Sequence, residues 1–293
     1  MEFKDQILEY TNEINKFLDT SIVIQDVPES RLIDSMKYSL MAGGKRLRPI
    51  LILSTYKLFK DDYSTIIPFA VAMEMVHSFS LIHDDLPAID NDDLRHGKPT
   101  NHKMFDESTA ILAGDGLLNS AYVVIGETLL DKTNLDNKIR AYNEFSKAIF
   151  RMIAGEYVDI DCEGKDIPYE LLEYMHQNKT GALLKASVRI GAILAGANEN
   201  DISKLTDYAD KIGLAFQIKD DILSEIGDEK IMGKPVGNDK KMKKCSFATI
   251  YGTEKSNEIL EILTNDAIEL AKTFETKSDF FKEFAMFIKN RNH

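Results

Sequence analysis

Two pairs of adjacent aspartates, Asp84-Asp85 and Asp220-Asp221, carry the strongest chemical signal in this sequence. The first pair ends an apolar run and is followed at once by Pro87, Asp90, Asp92 and Asp93. Carboxylates suit a helix C-terminus poorly, because that end of the dipole is already negative. Two of them about 4 Å apart repel by roughly 4 kcal/mol at an effective dielectric near 20. Water relieves such a cluster, and so do hard cations. Magnesium takes a few carboxylates together with phosphate oxygens. In one straight helix Asp90 would stand about 240° round from Asp84. The two can share a metal only if the chain breaks, and Pro87 supplies the break. For this cluster alone a solvated acidic loop explains as much. A calcium EF-hand does not fit, since no glycine occupies the sixth position and no closing glutamate follows.

The second pair lies inside a helical run, Phe216-Gln217-Ile218-Lys219-Asp220-Asp221-Ile222-Leu223-Ser224. Phe216, Asp220 and Ser224 share one face at four-residue steps, with Gln217 three before Asp220. A charge patch, or an ion pair with Lys219, is the plainer reading of this motif by itself. If the two helices face each other, the pairs bound a negative cleft for several cations and a diphosphate. Such a cleft suits ionisation of a C–O bond, because metals stabilise the charge on the departing diphosphate.

Cationic groups accompany the aspartates. Gly43-Gly44-Lys45-Arg46-Leu47-Arg48-Pro49 opens a helix after a glycine pair, and its amides with Lys45 and Arg48 form an anion site. It is no Walker loop, because Ser39 replaces the first glycine and Arg46 follows the lysine. His77 lies two turns before Asp84 on the same face, where a core histidine is the plainer reading. Arg95, His96 and Lys98 follow the first acidic cluster, and Lys234 and Lys244 sit on a glycine- and lysine-rich loop able to close over an anion. A solvated basic turn and a mobile loop are the corresponding bland readings.

These residues need long helices to hold them, and the sequence provides them. Seven prolines and sixteen glycines in 293 residues leave long uninterrupted segments. Ile7, Tyr10, Ile14, Phe17 and Leu18 mark one apolar helical face. Helices are expected over 49–59, 68–85, 137–158, 170–195, 201–226 and 254–274, and no segment alternates convincingly as a strand. The expected architecture is all-α, one domain over 1–293, with no boundary, repeat or low-complexity tract. The net charge of −12 argues against a nucleic-acid binder held by bulk positive charge. Cys162 and Cys245 form no CxxC unit, which fits a reducing compartment. The mixed-charge N-terminus does not read as a signal or transit peptide. The apolar stretches at Ile66–Val76 and Ile190–Ala197 read as too short to span a bilayer, so a cytoplasmic protein without membrane insertion is expected.

Taken in order, six motifs resemble the trans-prenyltransferase (polyprenyl synthetase) family, and within it bacterial farnesyl diphosphate synthases. They are GGKRLRP at Gly43–Pro49, HSFSLIHDDLPAIDNDDLRHGKPT at His77–Thr100, LAGDGLL at Leu112–Leu118, KTGALL at Lys179–Leu184, FQIKDDIL at Phe216–Leu223 and GKPVGNDKKMKKCSF at Gly233–Phe247. The resemblance implies antiparallel helices around a deep central cavity, as a homodimer. It implies Mg2+, three ions per site with Mn2+ able to substitute, on Asp84, Asp85 and Asp90 from one wall and Asp220 and Asp221 from the other. It implies that Arg95, Lys179, Gln217 and Lys234 hold the allylic diphosphate. Gly44, Lys45, Arg48 and His77, with His96 and Lys244, match the site for isopentenyl diphosphate. Thr180 and the carbonyls at Lys179–Thr180 would face the allylic cation. Phe79 and Ser80, five and four residues before Asp84, would set the floor for the growing chain and favour a farnesyl (C15) product over geranyl or geranylgeranyl.

Three positions depart from that family's pattern. His96 stands where a second arginine is usual, Ser224 where the second acidic motif ends in aspartate, and Glu156 where a glutamine is found. His96 and Ser224 keep open a family member that binds prenyl diphosphates without turnover. A terpene cyclase would not need the Lys45–Arg48 site. An HD-type phosphohydrolase, suggested by His83-Asp84, would leave Asp220-Asp221 unexplained.

Overall fold

Helical periodicity is realised along nearly all of the described chain. The computed structural model describes residues 2–23, 26–226 and 245–291. The chain divides into two compact units, Met1–Tyr142 and Asn143–His293.

The first unit holds α1 (Phe3–Ser21), α2 (Ser30–Leu40), α3 (Leu47–Lys57), α4 (Ile67–Asp84), the short α5 (Asn101–Met104) and α6 (Glu107–Thr128). α4 is its central element and packs on α1, α2, α3 and α6. It carries Pro68 in its first turn, where the missing amide costs nothing, and buries residues all round. α6 starts at Asp106, whose carboxylate accepts from the Thr109 amide at 2.7 Å. No helix is read from the sequence over 107–128, because Gly114, Gly116 and Gly126 depress the local propensity. Two of these glycines sit against side chains of neighbouring helices. A Cβ on Gly114 would lie 2.2 Å from His83 Nε2, and one on Gly116 would lie 2.8 Å from Met36 Sδ.

The expectation of no strands is corrected by one small ribbon, in which β1 (Leu94–Arg95) pairs antiparallel with β2 (Lys98–Pro99). Its turn residues, His96 and Gly97, both have positive φ, at 52° and 74°, as a two-residue primed hairpin turn requires. The expectation that no stretch is long enough for a membrane is also corrected. Ser64–Asp84 and Glu107–Thr128 both pass by length and composition. The first is 72% buried, as in a core helix, and the second 33%.

α7 (Leu135–Cys162) runs across the division between the units. The second unit continues with α8 (Tyr169–Lys179), α9 (Gly181–Ala195), α10 (Glu199–Ile226), α11 (Phe247–Tyr251), α12 (Thr253–Lys272) and α13 (Asp279–Asn290). α10 is its axis, in contact with α8, α9, α11, α12 and α13. The single helix expected over 170–195 is two, broken at Thr180 (φ −105°, ψ −44°). The break lies beside a close approach of α9 and α10. A Cβ on Gly213 would stand 2.9 Å from the Gly181 Cα, so α10 needs glycine there.

Candidate active site

The first-unit cluster is built by the end of α4 and the chain that doubles back from it. The helix stops at Asp84, and the Asp90 amide donates to the Asp84 carbonyl at 2.9 Å. Asn91, in the left-handed region at φ 52°, completes the reversal. The turn containing Pro87 thus returns Asp90 to the helix end. The β1–β2 ribbon then carries Arg95 onto the aspartates. Its Nε donates to Asp85 Oδ1 at 3.0 Å, and its Nη2 makes a shorter bond to the same oxygen. The Nη2 also lies 3.3 Å from Asp92 Oδ2 and 3.9 Å from Asp84 Oδ2. Burial, resisted by Arg95 and helped by Asp84 and Asp92, pushes the Asp85 carboxyl up to about 6.

A cationic group adjoins these carboxylates. Burial, then the charges of Arg48, His96, Arg95 and Arg46, hold the His77 imidazole well below its ordinary range. Gly43 (φ 121°) and Gly44 (φ 104°) adopt backbone closed to other residues. They bring the loop against His96, whose Nε2 would be 3.4 Å from a Cβ at position 44. Arg46, in the left-handed region at φ 51°, turns inward and is 5% exposed. It donates to Asn15 Oδ1 at 3.0 Å, Glu74 Oε1 at 2.7 Å and the Leu40 carbonyl at 2.9 Å. This clamp fixes the backbone between Lys45 and Arg48. Arg46 was not singled out from sequence, because an arginine in a basic turn reads as another surface charge.

Phe79 and Ser80, expected from sequence to set chain length, lie on α4. Phe79 is buried and meets His83 edge to face at 5.0 Å, and Ser80 Oγ donates to the His77 carbonyl at 2.8 Å. His83 Nε2 stands 3.0 Å from the Ile111 carbonyl on α6. From sequence His83 is weighed only as half of a His83-Asp84 metal motif and not as the residue that locks α4 to α6, although the glycine of LAGDGLL that admits its ring was visible.

In the second unit, α8 ends on Lys179. Its Nζ is 2.9 Å from Glu156 and 2.6 Å from Asp159, both on α7. Thr180 Oγ1 donates to Gln217 Oε1 at 2.5 Å, and Gln217 Nε2 donates to Asp221 Oδ1 at 2.9 Å. Asp221 Oδ2 accepts from the Phe247 amide at 2.8 Å and lies 3.3 Å from His176 Nε2. The side chain of Asp221 is 5% exposed, whereas that of Asp220 is 42% exposed and lies 2.7 Å from Arg291 Nη2. The two aspartates therefore differ: Asp220 faces outward and Asp221 ties α10 to α11. Lys234 and Lys244 lie outside the described residues.

The donors suit a hard cation in type, since all are carboxylate oxygens. Among the described residues no three acidic, histidine or cysteine side chains already stand together as a metal cage. Arg95 pairs with Asp85 and Arg291 with Asp220.

Comparison with known proteins agrees with the order of motifs. The polyprenyl synthetase family model matches residues 29–281. The farnesyl diphosphate synthase of Bacillus subtilis is 41% identical over 270 residues, 92% of this chain and 91% of that one. The chloroplastic geranylgeranyl pyrophosphate synthase of Catharanthus roseus is 42% identical over 277 residues, 94% of this chain and 77% of that one. A crystal structure of an FPP/GFPP synthase from Zymomonas mobilis superposes with a TM-score of 0.87 at 31% identity, covering 98% of both chains. A match this long, with the aspartates, the GGKRLRP turn and the all-α architecture in place, means that the chain belongs to the polyprenyl synthetase family.

Proposed function

We propose that this protein condenses an allylic diphosphate with isopentenyl diphosphate, head to tail, giving mainly the C15 product farnesyl diphosphate. The carrying observation is Arg95, which the β1–β2 ribbon sets on Asp84 and Asp85, with the Gly43–Gly44 turn brought against His96 beside it. It offers one unit of structure both anion-binding and cation-binding groups. Mg2+ held by Asp84, Asp85, Asp90 and Asp220, with Asp221 alongside, would neutralise charge on the departing diphosphate. Lys45 and Arg48 would hold the isopentenyl diphosphate on the glycine-turn amides, with neutral His77 behind them. Arg95, Lys179 and Gln217 would hold the allylic diphosphate. Thr180, aligned through Gln217, would present oxygen dipoles to the carbon that becomes cationic. The released diphosphate would take the proton, so no protein nucleophile is required.

Incubation with labelled isopentenyl diphosphate and either dimethylallyl or geranyl diphosphate, then sizing of the dephosphorylated product, tests the reaction. A C15 alcohol that disappears without Mg2+ is expected, and folded protein giving no elongation with either starter sinks the reading. Phe79→Ala removes the buried ring at the floor and opens about one helical turn, roughly 5.4 Å. Its product should shift to C20 or longer, and an unchanged C15 product would remove Phe79 from the floor. Relatives named for both farnesyl and geranylgeranyl products make this the deciding variant. Binding without turnover is the second reading. Glu156 favours it, because it and Asp159 together already neutralise Lys179.

The reading includes a cytoplasmic homodimer. Phe150 and Tyr157 on α7 are 70% and 68% exposed, and Ile153 and Ile160 complete a run spaced three, four and three, the pattern of a helix–helix seam. Exposed aromatics on such a seam anchor interfaces. Phe150→Glu combined with Tyr157→Glu should convert a dimer to monomer at micromolar concentration in analytical ultracentrifugation. An unchanged dimer would place the interface elsewhere.

A further inference from the structure

α13 buries Phe280, Phe281, Phe284, Ala285 and Ile288 on one face. Tyr208 of α10 fixes it in place, donating to the Phe281 carbonyl at 2.8 Å and meeting the Phe281 ring edge to face at 5.4 Å. This docking delivers Arg291, just beyond the helix end, onto α10. The guanidinium carbon lies 3.8 Å from the centroid of the Phe216 ring. Its Nη2 donates to the Phe216 carbonyl at 2.7 Å and stands 2.7 Å from Asp220 Oδ1. Arg291 is 8% exposed, and its Nε is buried with no hydrogen-bond partner. A buried guanidinium requires an anion and acceptors for its donors. This one has a half-exposed carboxylate, a ring face and one carbonyl, and a donor left over. The site therefore holds a fixed positive charge on the carboxylate that carries most of the second acidic motif's exposure.

We propose that Arg291 is a competing counter-ion for Asp220. The guanidinium and a divalent cation contend for the same carboxylate oxygen, so Arg291 sets the cation concentration at which the second half of the site assembles. The inference rests on the reading of Asp220 as a metal ligand. Two of the three contacts, to the Phe216 ring and carbonyl, do not involve Asp220. The guanidinium therefore has anchors that hold it nearby when the ion pair opens, and the exchange need not undock α13. Arg291 is a positioning residue in this account, acting through Asp220.

The test uses full-length protein, Mn2+ as the spectroscopic probe and inorganic diphosphate, with free Mn2+ followed by electron paramagnetic resonance. Arg291→Gln keeps a hydrogen-bond donor and removes the charge, and should tighten Mn2+ binding by roughly tenfold, the equivalent of about 1.4 kcal/mol. Asp220→Asn should weaken it. If Asp220→Asn weakens binding but Arg291→Gln leaves it unchanged or weaker, the counter-ion role is overturned and the metal reading stands. If the wild type and Asp220→Asn bind alike, the metal reading falls and takes the counter-ion with it. Should Arg291→Gln fail to fold, the side-chain Nε resonance of Arg291 in the wild type decides, with diamagnetic Mg2+ in place of Mn2+. A shift of that resonance on adding Mg2+ and diphosphate supports displacement from Asp220, and an unchanged resonance overturns it.

Discussion

Asp220→Asn lowers kcat by roughly 10³-fold with little loss of stability, whereas Asp221→Asn does the reverse. The expectation follows from where the two carboxylates point. Asp220 is 42% exposed and pairs with the Arg291 side chain. Asparagine there keeps the shape but removes the charge that would attract a divalent cation. Loss of one group that stabilises charge in a transition state typically costs 10²- to 10³-fold, and a lost metal site stands at the upper end. Asparagine keeps an acceptor oxygen for the buried Arg291, which also retains the Phe216 carbonyl and ring, so the fold loses about 1 kcal/mol, or a melting shift of about 3 °C. Asp221 accepts from the Gln217 amide on one oxygen and the Phe247 amide on the other. Asparagine has only one acceptor oxygen, so its NH2 must face one of those donors. The unsatisfied group costs about 2 kcal/mol. Gln217 can turn to compensate, but its oxygen then leaves Thr180 Oγ1. We expect about a tenfold loss of kcat, accompanied by the larger fall in melting temperature. Paired kcat and thermal-melt measurements decide it. A thousandfold loss in Asp221→Asn at unchanged melting temperature would make Asp221 a direct ligand instead of a strut.

This asymmetry was invisible in the sequence, where Asp220 and Asp221 are neighbours of one type. A helix turns them about 100° apart, and only the packing of α8 and α11 decides which is covered. The same limit applies elsewhere. The long helices were legible because α1 repeats apolar residues at three and four and α4 runs on from Pro68 without a glycine or a second proline. Tyr10, Ile14 and Leu18 are buried as the pattern requires, although Phe17 is 41% exposed. The break at Thr180 was not legible, because Lys179-Thr180-Gly181 is flanked on both sides by good helical periodicity. It lies beside the approach of Gly213 from α10, a tertiary contact that no local pattern records. α6 was missed because its glycines weaken propensity, while their purpose, admitting His83 and Met36, lies on other helices. The chain reversal at Pro87 was readable, since a proline between Asp84 and Asp90 has few other uses. Arg46, His176 and Arg291 gave no signal, as a single basic residue carries no spacing to interpret. Motif order reveals which residues gather; which are buried, clamped or turned outward is a property of tertiary packing.

Gly155→Ala is the variant with the largest expected effect on the fold. Gly155 lies mid-helix in α7, where alanine would normally stabilise by about 1 kcal/mol. Gly126 of α6 shows that ordinary case, since a Cβ there meets nothing within 4 Å, and Gly126→Ala is the control. At Gly155 the added carbon would stand 2.1 Å from the Lys179 amide nitrogen and 2.7 Å from the Lys179 Cα and the Asn178 carbonyl carbon. All three are backbone atoms, so no rotamer change relieves the overlap and α7 and α8 must separate locally. Overpacking against side chains costs 1–3 kcal/mol; against fixed backbone we expect about 3 kcal/mol or more. The melting temperature should fall by roughly 6–12 °C. The end of α8 is also where Lys179 meets Glu156 and Asp159 and where Thr180 meets Gln217. A displacement of about 1 Å in a positioned group can cost about 100-fold in rate. Gly155→Ala should therefore lose activity even at temperatures where it remains folded, with kcat falling more than the affinity for isopentenyl diphosphate, whose proposed ligands lie on the first unit. Wild-type melting and turnover in Gly155→Ala would show that α7 and α8 do not approach this closely in solution. It would also remove the packing argument for the placement of Lys179.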